Sequence, residues 1–584
     1  MKNITALFGK HGLFLFFAFT IFLKGTLFSI ATAYVDKWHE LLSNPTFFFV
    51  SWFGKVLPAV IIASFVYLCR RCQWWTIVIS LLIDVWIVSN LFYFKANGLY
   101  LTLEVIGMAG NLSGFESSLF ALLDWDVWMT LAITIVYVLF FIVLRLGQCQ
   151  MHSYKWFFVW ILSFLLLDCV SNASFWYHSY WEKKPSFSDR IANAYPFGLV
   201  HNDAVSHSNC SDYRNDYMYY QSVLSYFPAM FLHNYWTSKR TSLSEEDKQL
   251  IAHYWKGLQK IHPFRNLVFI LVESLESWPL EKVNGIDYMP YLSQFKQNNH
   301  ALYADRLKCQ IKYGMSGDGQ LISMTGMLPI DRGVACFRYG QNRYPNFASS
   351  FASSAILNPC KGTWNQSVVT TSYGFKNLIE SETIQWNTDA TIFQRTLDYV
   401  FSVSEMPFCV LSLTISSHMP FNASLAKPYS QDPEMPTLMS NYLNSLSYTD
   451  SCLQVCVENI LNSPLSDSTV IVITGDHTIF RSNSYSDLDR YSSSKNIPFK
   501  ANNNYLPLII YSPDINQNEY LHDEVYQMDI FPTICAMLDS TVQNPSFGVN
   551  LRDSVALHHR PISEEDAFKM SDMIIRSDYF GQQY

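Results

Sequence analysis

Five apolar runs crowd the first 177 residues, near Leu13–Tyr34, Phe48–Cys69, Trp74–Phe94, Val127–Leu146 and Trp156–Tyr177. Each is long enough to cross a bilayer as a helix, which takes about 20 residues. Those runs account for a composition unusual in a soluble protein: 49% hydrophobic and 16% aromatic, with only 15% charged. The chain therefore reads as a membrane part joined to a soluble part. Its first run is too long, and has too many successors, to be a cleaved signal peptide. A formal net charge of -8 gives no sign of nucleic-acid binding.

Basic residues orient the runs. Lys2 and Lys10 precede the first, Arg70 and Arg71 follow the second, and Arg145 and Lys155 flank the connection between fourth and fifth. All fall on one side if the N-terminus is cytoplasmic, and an odd number of spans then exports everything after Tyr177. Lys24 and Asp84 lie inside the first and third runs, where ionisable groups are costly unless they pair or reach an interface. Either the two form a pair, or Lys24 snorkels. The expected organisation is a transmembrane domain over 1–177, a linker over 178–264 and an extracytoplasmic domain over 265–584. In the linker, Ser244-Glu-Glu-Asp247 reads as a helix start with Ser244 as its cap. Leu250, Ile251, Tyr254 and Leu258 follow as one apolar face.

From Asn266 onward, apolar strands alternate with helical patterns, the mark of an α/β domain. The run Thr469-Val-Ile-Val-Ile-Thr474 is β-branched throughout and reads as a buried strand ended by Gly475, with Asp476 and His477 at its carboxyl end. Ligands bind at that end of open α/β sheets, and a carboxylate beside an imidazole suits a divalent metal. The strand Leu267–Val272 runs directly into Glu273, and Phe408–Thr414 ends near His418. Any one of these is equally an ordinary polar residue at a strand end; three in one domain favour a site. Ser316 sits in Tyr313-Gly-Met-Ser-Gly-Asp-Gly-Gln320, ahead of a helical pattern over Leu321–Leu328. Backbone N–H groups there favour a phosphate, and a metal-bound hydroxyl becomes a nucleophile, although a Gly-rich helix cap has the same look.

Together these pieces resemble the lipoteichoic acid synthase type of the alkaline phosphatase/sulfatase superfamily. The matching segments are Val272-Glu-Ser274, Gly314–Gln320, Met327-Leu-Pro329, Gly362-Thr-Trp364, Ser417-His-Met-Pro-Phe421, Gly475-Asp-His477 and Asp529-Ile-Phe-Pro-Thr533. The resemblance implies an N-terminal bundle of five spans followed by a C-terminal α/β domain of alkaline phosphatase/sulfatase type. It implies a metal, Mn²⁺ or Zn²⁺, held by Glu273, Ser316, Asp476 and His477. Ser316 stands where that family usually has a nucleophilic Thr. His418 is expected to hydrogen-bond the substrate phosphate or act as acid/base, and Trp364 and Gln366 to line the substrate pocket. Gln366 replaces a frequent Arg, and the His usual before the Trp is missing from Ile356-Leu-Asn-Pro-Cys360. Arg332, Arg338 or Arg343 is available to supply the lost charge. Neither Cys309 nor Ser316 has the Cys-x-Pro-x-Arg type of motif that a true sulfatase needs.

The implied activity is a transferase reaction in the cytoplasmic membrane. Ser316 attacks the head-group phosphate of a membrane phospholipid donor, and phosphoglycerol or phosphoethanolamine passes to a glycan or lipid acceptor hydroxyl. The alternative is a phosphodiesterase or other hydrolase of the same superfamily, in which water is the acceptor; a decayed, non-catalytic site and a transporter are weaker rivals. An exported domain permits disulfides, with Cys336 and Cys360 the first candidate pair and Cys452 and Cys456 expected as packing residues. Topology supplies the first prediction: a reporter fused after Ser244 is exported, and one fused within Arg70–Gln73 stays cytoplasmic. Recovery of the Ser244 fusion in the cytoplasm overturns the orientation.

Overall fold

The computed structural model describes residues 11–32, 45–68, 73–97, 100–101, 106, 123–144, 154–163, 222–224, 240–255 and most of 260–582. The chain divides into two compact units, one within residues 1–237 and one containing Ser238–Tyr584.

In the first unit, α1 spans Gly12–Thr32, α2 Pro45–Ser64, α3 Trp75–Asn97 and α4 Trp125–Val143. Among the described residues, three stretches are long and apolar enough to cross a membrane: Gly12–Thr32, Trp75–Lys95 and Trp125–Val143. They coincide with the first, third and fourth expected runs. The second run falls on α2, which tightens into a 3₁₀ turn at Phe65–Tyr67 and contributes a shorter apolar helix, Gly54–Tyr67. The fifth is helical over 155–163, and its remainder lies outside the described residues. Inward-facing Phe17, Ile21, Ile87 and Tyr137 share one buried core, while Val78, Val85 and Val143 stay exposed on the outer surface of their helices. Such an inside-out distribution suits a lipid solvent.

Lys24 and Asp84 do pair. Lys24 Nζ lies 2.6 Å from Asp84 Oδ1 and donates to Ser80 Oγ at 2.7 Å, the Ser80 carbonyl at 3.0 Å and Thr134 Oγ1 at 2.5 Å. Thr134 in turn donates to Asp84 Oδ2 at 2.5 Å. Thus α1, α3 and α4 share one buried polar knot, and Lys24 has no need to snorkel.

The second unit is built on one sheet of nine strands: β1 Asn266–Val272, β2 Ala301–Lys308, β3 Ser353–Asn358, β4 Asn377–Glu380, β5 Phe408–Leu413, β6 Thr469–Gly475, β7 Leu506–Tyr511, β8 Glu519–Leu521 and β9 Val525–Tyr526. Their order is β4-β3-β5-β1-β6-β7-β2-β8, with β9 also on β2. The run from β4 to β6 is parallel, and β7 is antiparallel to both of its neighbours. β1 and β6 are buried at every position, as their unbroken apolar sequences require of strands covered on both faces. The helices used below are α5 Glu245–Tyr254, α6 Ser316–Thr325, α7 Thr388–Ser402 and α8 Thr437–Leu461.

Ser244 caps α5 in a reciprocal box with Asp247, as the sequence predicts. The helix belongs to the second unit, where the adjoining Trp255 packs on Phe547 and Phe580. Of the expected apolar face, Ile251 is buried and Leu250 exposed. The pattern expected over Leu321–Leu328 begins earlier and ends earlier, because Gly326 takes a left-handed φ of 68° and closes α6 after Thr325.

Lys24→Met strands a buried carboxylate and is expected to destabilise the membrane unit by about 3–5 kcal/mol, whereas Lys24→Met with Asp84→Leu recovers most of that loss. Thermal unfolding in detergent measures both; equal losses in single and double variants would refute the pairing energetics.

Candidate active site

The register of β1 on β6 sets Val272 opposite Gly475, so the residues that follow each strand emerge side by side. They are Glu273 and Asp476. With His477 they form a buried group whose ligand atoms all lie within 4.8 Å of one another. His477 Nε2 is 3.5 Å from Glu273 Oε1 and 3.7 Å from Asp476 Oδ2. Ser316 joins them: its Oγ donates to Glu273 Oε2 at 3.3 Å.

Ser316 is the first residue of α6, preceded by Met315 at φ 44° and ψ -120°. Met315 holds the cap position, and the Ser316 side chain turns to the carboxylate. Asp318 holds the loop in shape by accepting from the N–H groups of Lys312 at 2.9 Å and Gly314 at 2.8 Å. Non-glycine residues with positive φ gather around this place: Ser274, Met315, Trp364, Asn365 and Phe421. Backbone strain of this kind persists where surrounding structure overrides it, commonly at functional sites. Two glycines permit the close approach. A Cβ on Gly317 would lie 3.1 Å from the Trp364 ring, and one on Gly319 would lie 2.2 Å from the Asp476 carbonyl oxygen.

The donor set fits a divalent cation. Two buried carboxylates and a buried imidazole meet a half-buried hydroxyl, and burial disfavours the two acidic groups unless a cation balances them. Burial, and then the Asp476 charge, push the Glu273 carboxyl well above the usual range, only partly opposed by His477, Ser274 and Ser316. Glu273, Asp476, His477 and Ser316 are the residues that would hold such an ion.

The other expected residues are placed as follows. His418 is half-buried after β5, with Nδ1 2.7 Å from the Met419 carbonyl oxygen; desolvation lowers its pKa, and Met419 and the Asp476 charge oppose that. Its loop is fixed by buried Asp389 of α7, which accepts from Ile415 N–H at 2.8 Å, Ser416 N–H at 3.0 Å and Thr449 Oγ1 at 2.7 Å. Trp364 lies over the start of α6. Gln366 does not present a free amide to a pocket: it is buried, and its Nε2 donates to Gln320 Oε1 at 2.7 Å, one turn beyond Ser316. Arg338 packs over Gly333, Arg343 is exposed, and Arg332 lies outside the described residues. Cys336 and Cys360 are not joined and both are thiols, as the Cys336 sulfur packs toward Gly317 while the Cys360 thiol faces the Lys361 carbonyl. Of the other expected pair, Cys456 is buried and Cys452 half-buried.

Sequence reasoning passed over several supports. Ser417 Oγ donates to the Glu273 carbonyl at 2.6 Å, and Thr414 Oγ1 accepts from Glu273 N–H at 2.9 Å. Gln527 Nε2 donates to the Asp476 carbonyl at 2.9 Å. Ser417 opens the segment Ser417–Phe421 that carries part of the resemblance, whereas Gln527 lies far along the chain.

Gly319→Ala sets a methyl against fixed backbone at Asp476 and is expected to cost about 1–3 kcal/mol by overpacking. A fall in the thermal unfolding midpoint would register it, and an unchanged midpoint would contradict the contact.

The family model described as sulfatase matches residues 333–540, and that of the lipoteichoic acid synthase N-terminal domain matches residues 1–179. A lipoteichoic acid synthase of Staphylococcus saprophyticus is 22% identical over 577 residues, covering 92% of this chain and 83% of that protein. Lipoteichoic acid synthase 2 of Bacillus subtilis is 21% identical over 321 residues, 51% of this chain; the match spans 48% of that relative's length. A crystal structure of a lipoteichoic acid synthase from Listeria monocytogenes aligns with a TM-score of 0.45 at 18% identity, over 52% of this chain and 80% of that one. Matched over residues 1–179 by one model and over residues 333–540, from β3 to β9, by the other, the chain is similar to proteins of the lipoteichoic acid synthase type of the alkaline phosphatase/sulfatase superfamily.

Proposed function

We propose that this protein is a membrane-anchored, metal-dependent transferase that moves a phospholipid head group to an acceptor hydroxyl through a covalent Ser316 intermediate. The observation that carries the reading is the contact of the Ser316 hydroxyl with a buried Glu273–Asp476–His477 group at the carboxyl end of the sheet. The relatives' name, lipoteichoic acid synthase, supports a cell-envelope product. Five spans over 1–177, a linker over 178–264 and an exported catalytic domain over 265–584 complete the proposal. That arrangement brings the active site to the leaflet from which a lipid donor is drawn.

A bound Mn²⁺ or Zn²⁺ would supply positive charge to the nucleophile and to the phosphate oxygens. The chain's own residues do the rest. Ser316 Oγ already directs its proton at Glu273 Oε2, which prepares the oxygen to attack phosphorus. As the Oγ–P bond forms, the bond from phosphorus to the diacylglycerol oxygen breaks and that oxygen takes up the proton Ser316 gave away; His418, whose desolvation favours the neutral imidazole, is assigned the proton of the entering acceptor hydroxyl, which it passes on to Ser316. In the second half the acceptor hydroxyl attacks phosphorus, and Ser316 leaves with its proton restored. Trp364 lines the site as an apolar wall. Phosphatidylglycerol is the preferred donor over phosphatidylethanolamine, because the five spans and the Gly-x-Ser-x-Asp arrangement at Gly314–Asp318 resemble the phosphoglycerol-transferring branch of the family.

Ser316→Ala is expected to lower turnover by about 10³-fold or more and to abolish any adduct, while Ser316→Thr retains part of the activity. Asp476→Ala loses metal without unfolding. Mass spectrometry after incubation with each lipid checks all of this: a phosphoethanolamine adduct overturns the donor, an adduct elsewhere overturns the nucleophile, and release of free head group alone makes the protein a hydrolase.

A further inference from the structure

We propose that Ser274 is a positioning residue that orients the Glu273 and Asp476 carboxylates toward the metal, an inference that rests on the metal reading above. Ser274 follows Glu273 directly and is fully buried, with φ at 56°. It touches both carboxylates. Its Oγ donates to Glu273 Oε1 at 2.6 Å, and its N–H donates to Asp476 Oδ1 at 2.8 Å. Asp476 Oδ1 takes a second N–H, from His477, also at 2.8 Å.

These bonds fix the orientation of both carboxylates. Ser274 holds Glu273 Oε1, which also lies 3.5 Å from His477 Nε2, and Asp476 Oδ1, and it leaves Oε2 toward Ser316 and Oδ2 toward the His477 ring. The left-handed backbone makes this possible. An extended residue would carry β1 onward, whereas the turn at Ser274 folds its hydroxyl back to the preceding carboxylate and aims its N–H across to the next strand. Tyr442 secures the corner by donating from its hydroxyl to the Ser274 carbonyl at 2.7 Å. A residue with positive φ that is not glycine is kept here, where glycine would be free of strain. The hydroxyl is what glycine lacks. Hydrogen bonds behind a metal's ligands typically set 10–100-fold in affinity or activity.

The test uses the full chain in detergent, titrated with Mn²⁺ by calorimetry, and compares wild type with Ser274→Ala and Ser274→Gly. Both variants keep the N–H to Asp476 and lose the hydroxyl to Glu273; the glycine also relieves the backbone, so one of the pair remains folded if the other does not. Mn²⁺ affinity is expected to fall about 10–100-fold in both, with turnover returning as Mn²⁺ is raised. A purely structural corner predicts instead that Ser274→Gly binds Mn²⁺ as wild type does, and that result overturns the proposal. Weakened binding with turnover that excess Mn²⁺ does not restore also overturns it, since Ser274 would then act in the chemistry itself. Wild type that binds no Mn²⁺ removes the metal reading, and is told apart from failure of this proposal because only the latter leaves wild-type binding intact.

Discussion

Everything in the catalytic unit depends on one pairing: β1 beside β6, parallel and in step from Asn266 opposite Thr469 to Val272 opposite Gly475. In a parallel pair the residues beyond the last rung leave the sheet at the same level, so two acidic side chains from positions far apart in sequence arrive together. A slip of one residue would send alternate side chains to the other face and separate them. The apolar burial of both strands is therefore what fixes the register, and the register is what creates the site. The mutual repulsion of the two carboxylates is tolerated because the packing around them is already determined by the strands.

The approach of α6 to that edge is the second constraint. A helix beginning with a hydroxyl residue over two buried carboxylates needs a backbone that can come unusually near, and Gly317 and Gly319 provide it. The concentration of positive φ at Ser274, Met315, Trp364, Asn365 and Phe421 is the local cost of this geometry. Helix, strand ends and the Trp364 turn are thus held as one rigid cradle, consistent with chemistry that relies on position more than on movement.

Much of this was legible in the residues. The β-branched run ending in Gly475-Asp-His477, the apolar run ending at Glu273 and the glycines around Ser316 each announce strand, strand and helix start by composition alone. What they could not announce is mutual distance, which comes from strand order: β6 sits next to β1 although seven other elements of the sheet compete for that edge. Gln366 shows the opposite case. The resemblance implies a pocket residue, but a polar side chain in a dry interior is satisfied by the nearest amide, and that partner, Gln320, lies on an element that no local pattern connects to it. The Cys336–Cys360 reading fails for a related reason, since closeness along the chain says nothing about which way each sulfur faces.

The buried knot of Lys24, Ser80, Asp84 and Thr134 bears on how the protein is made. Lys24 leaves the ribosome well before Asp84, and Thr134 later still, at a pace of about 5–20 residues per second. For that interval the first helix carries an ammonium group whose neutralising partner has not been synthesised. A lone charge at the centre of a hydrocarbon helix is costly to release into lipid. The first helix is therefore best retained beside the insertion machinery until the third and fourth arrive, so that this part of the membrane domain enters the bilayer as a set rather than one segment at a time.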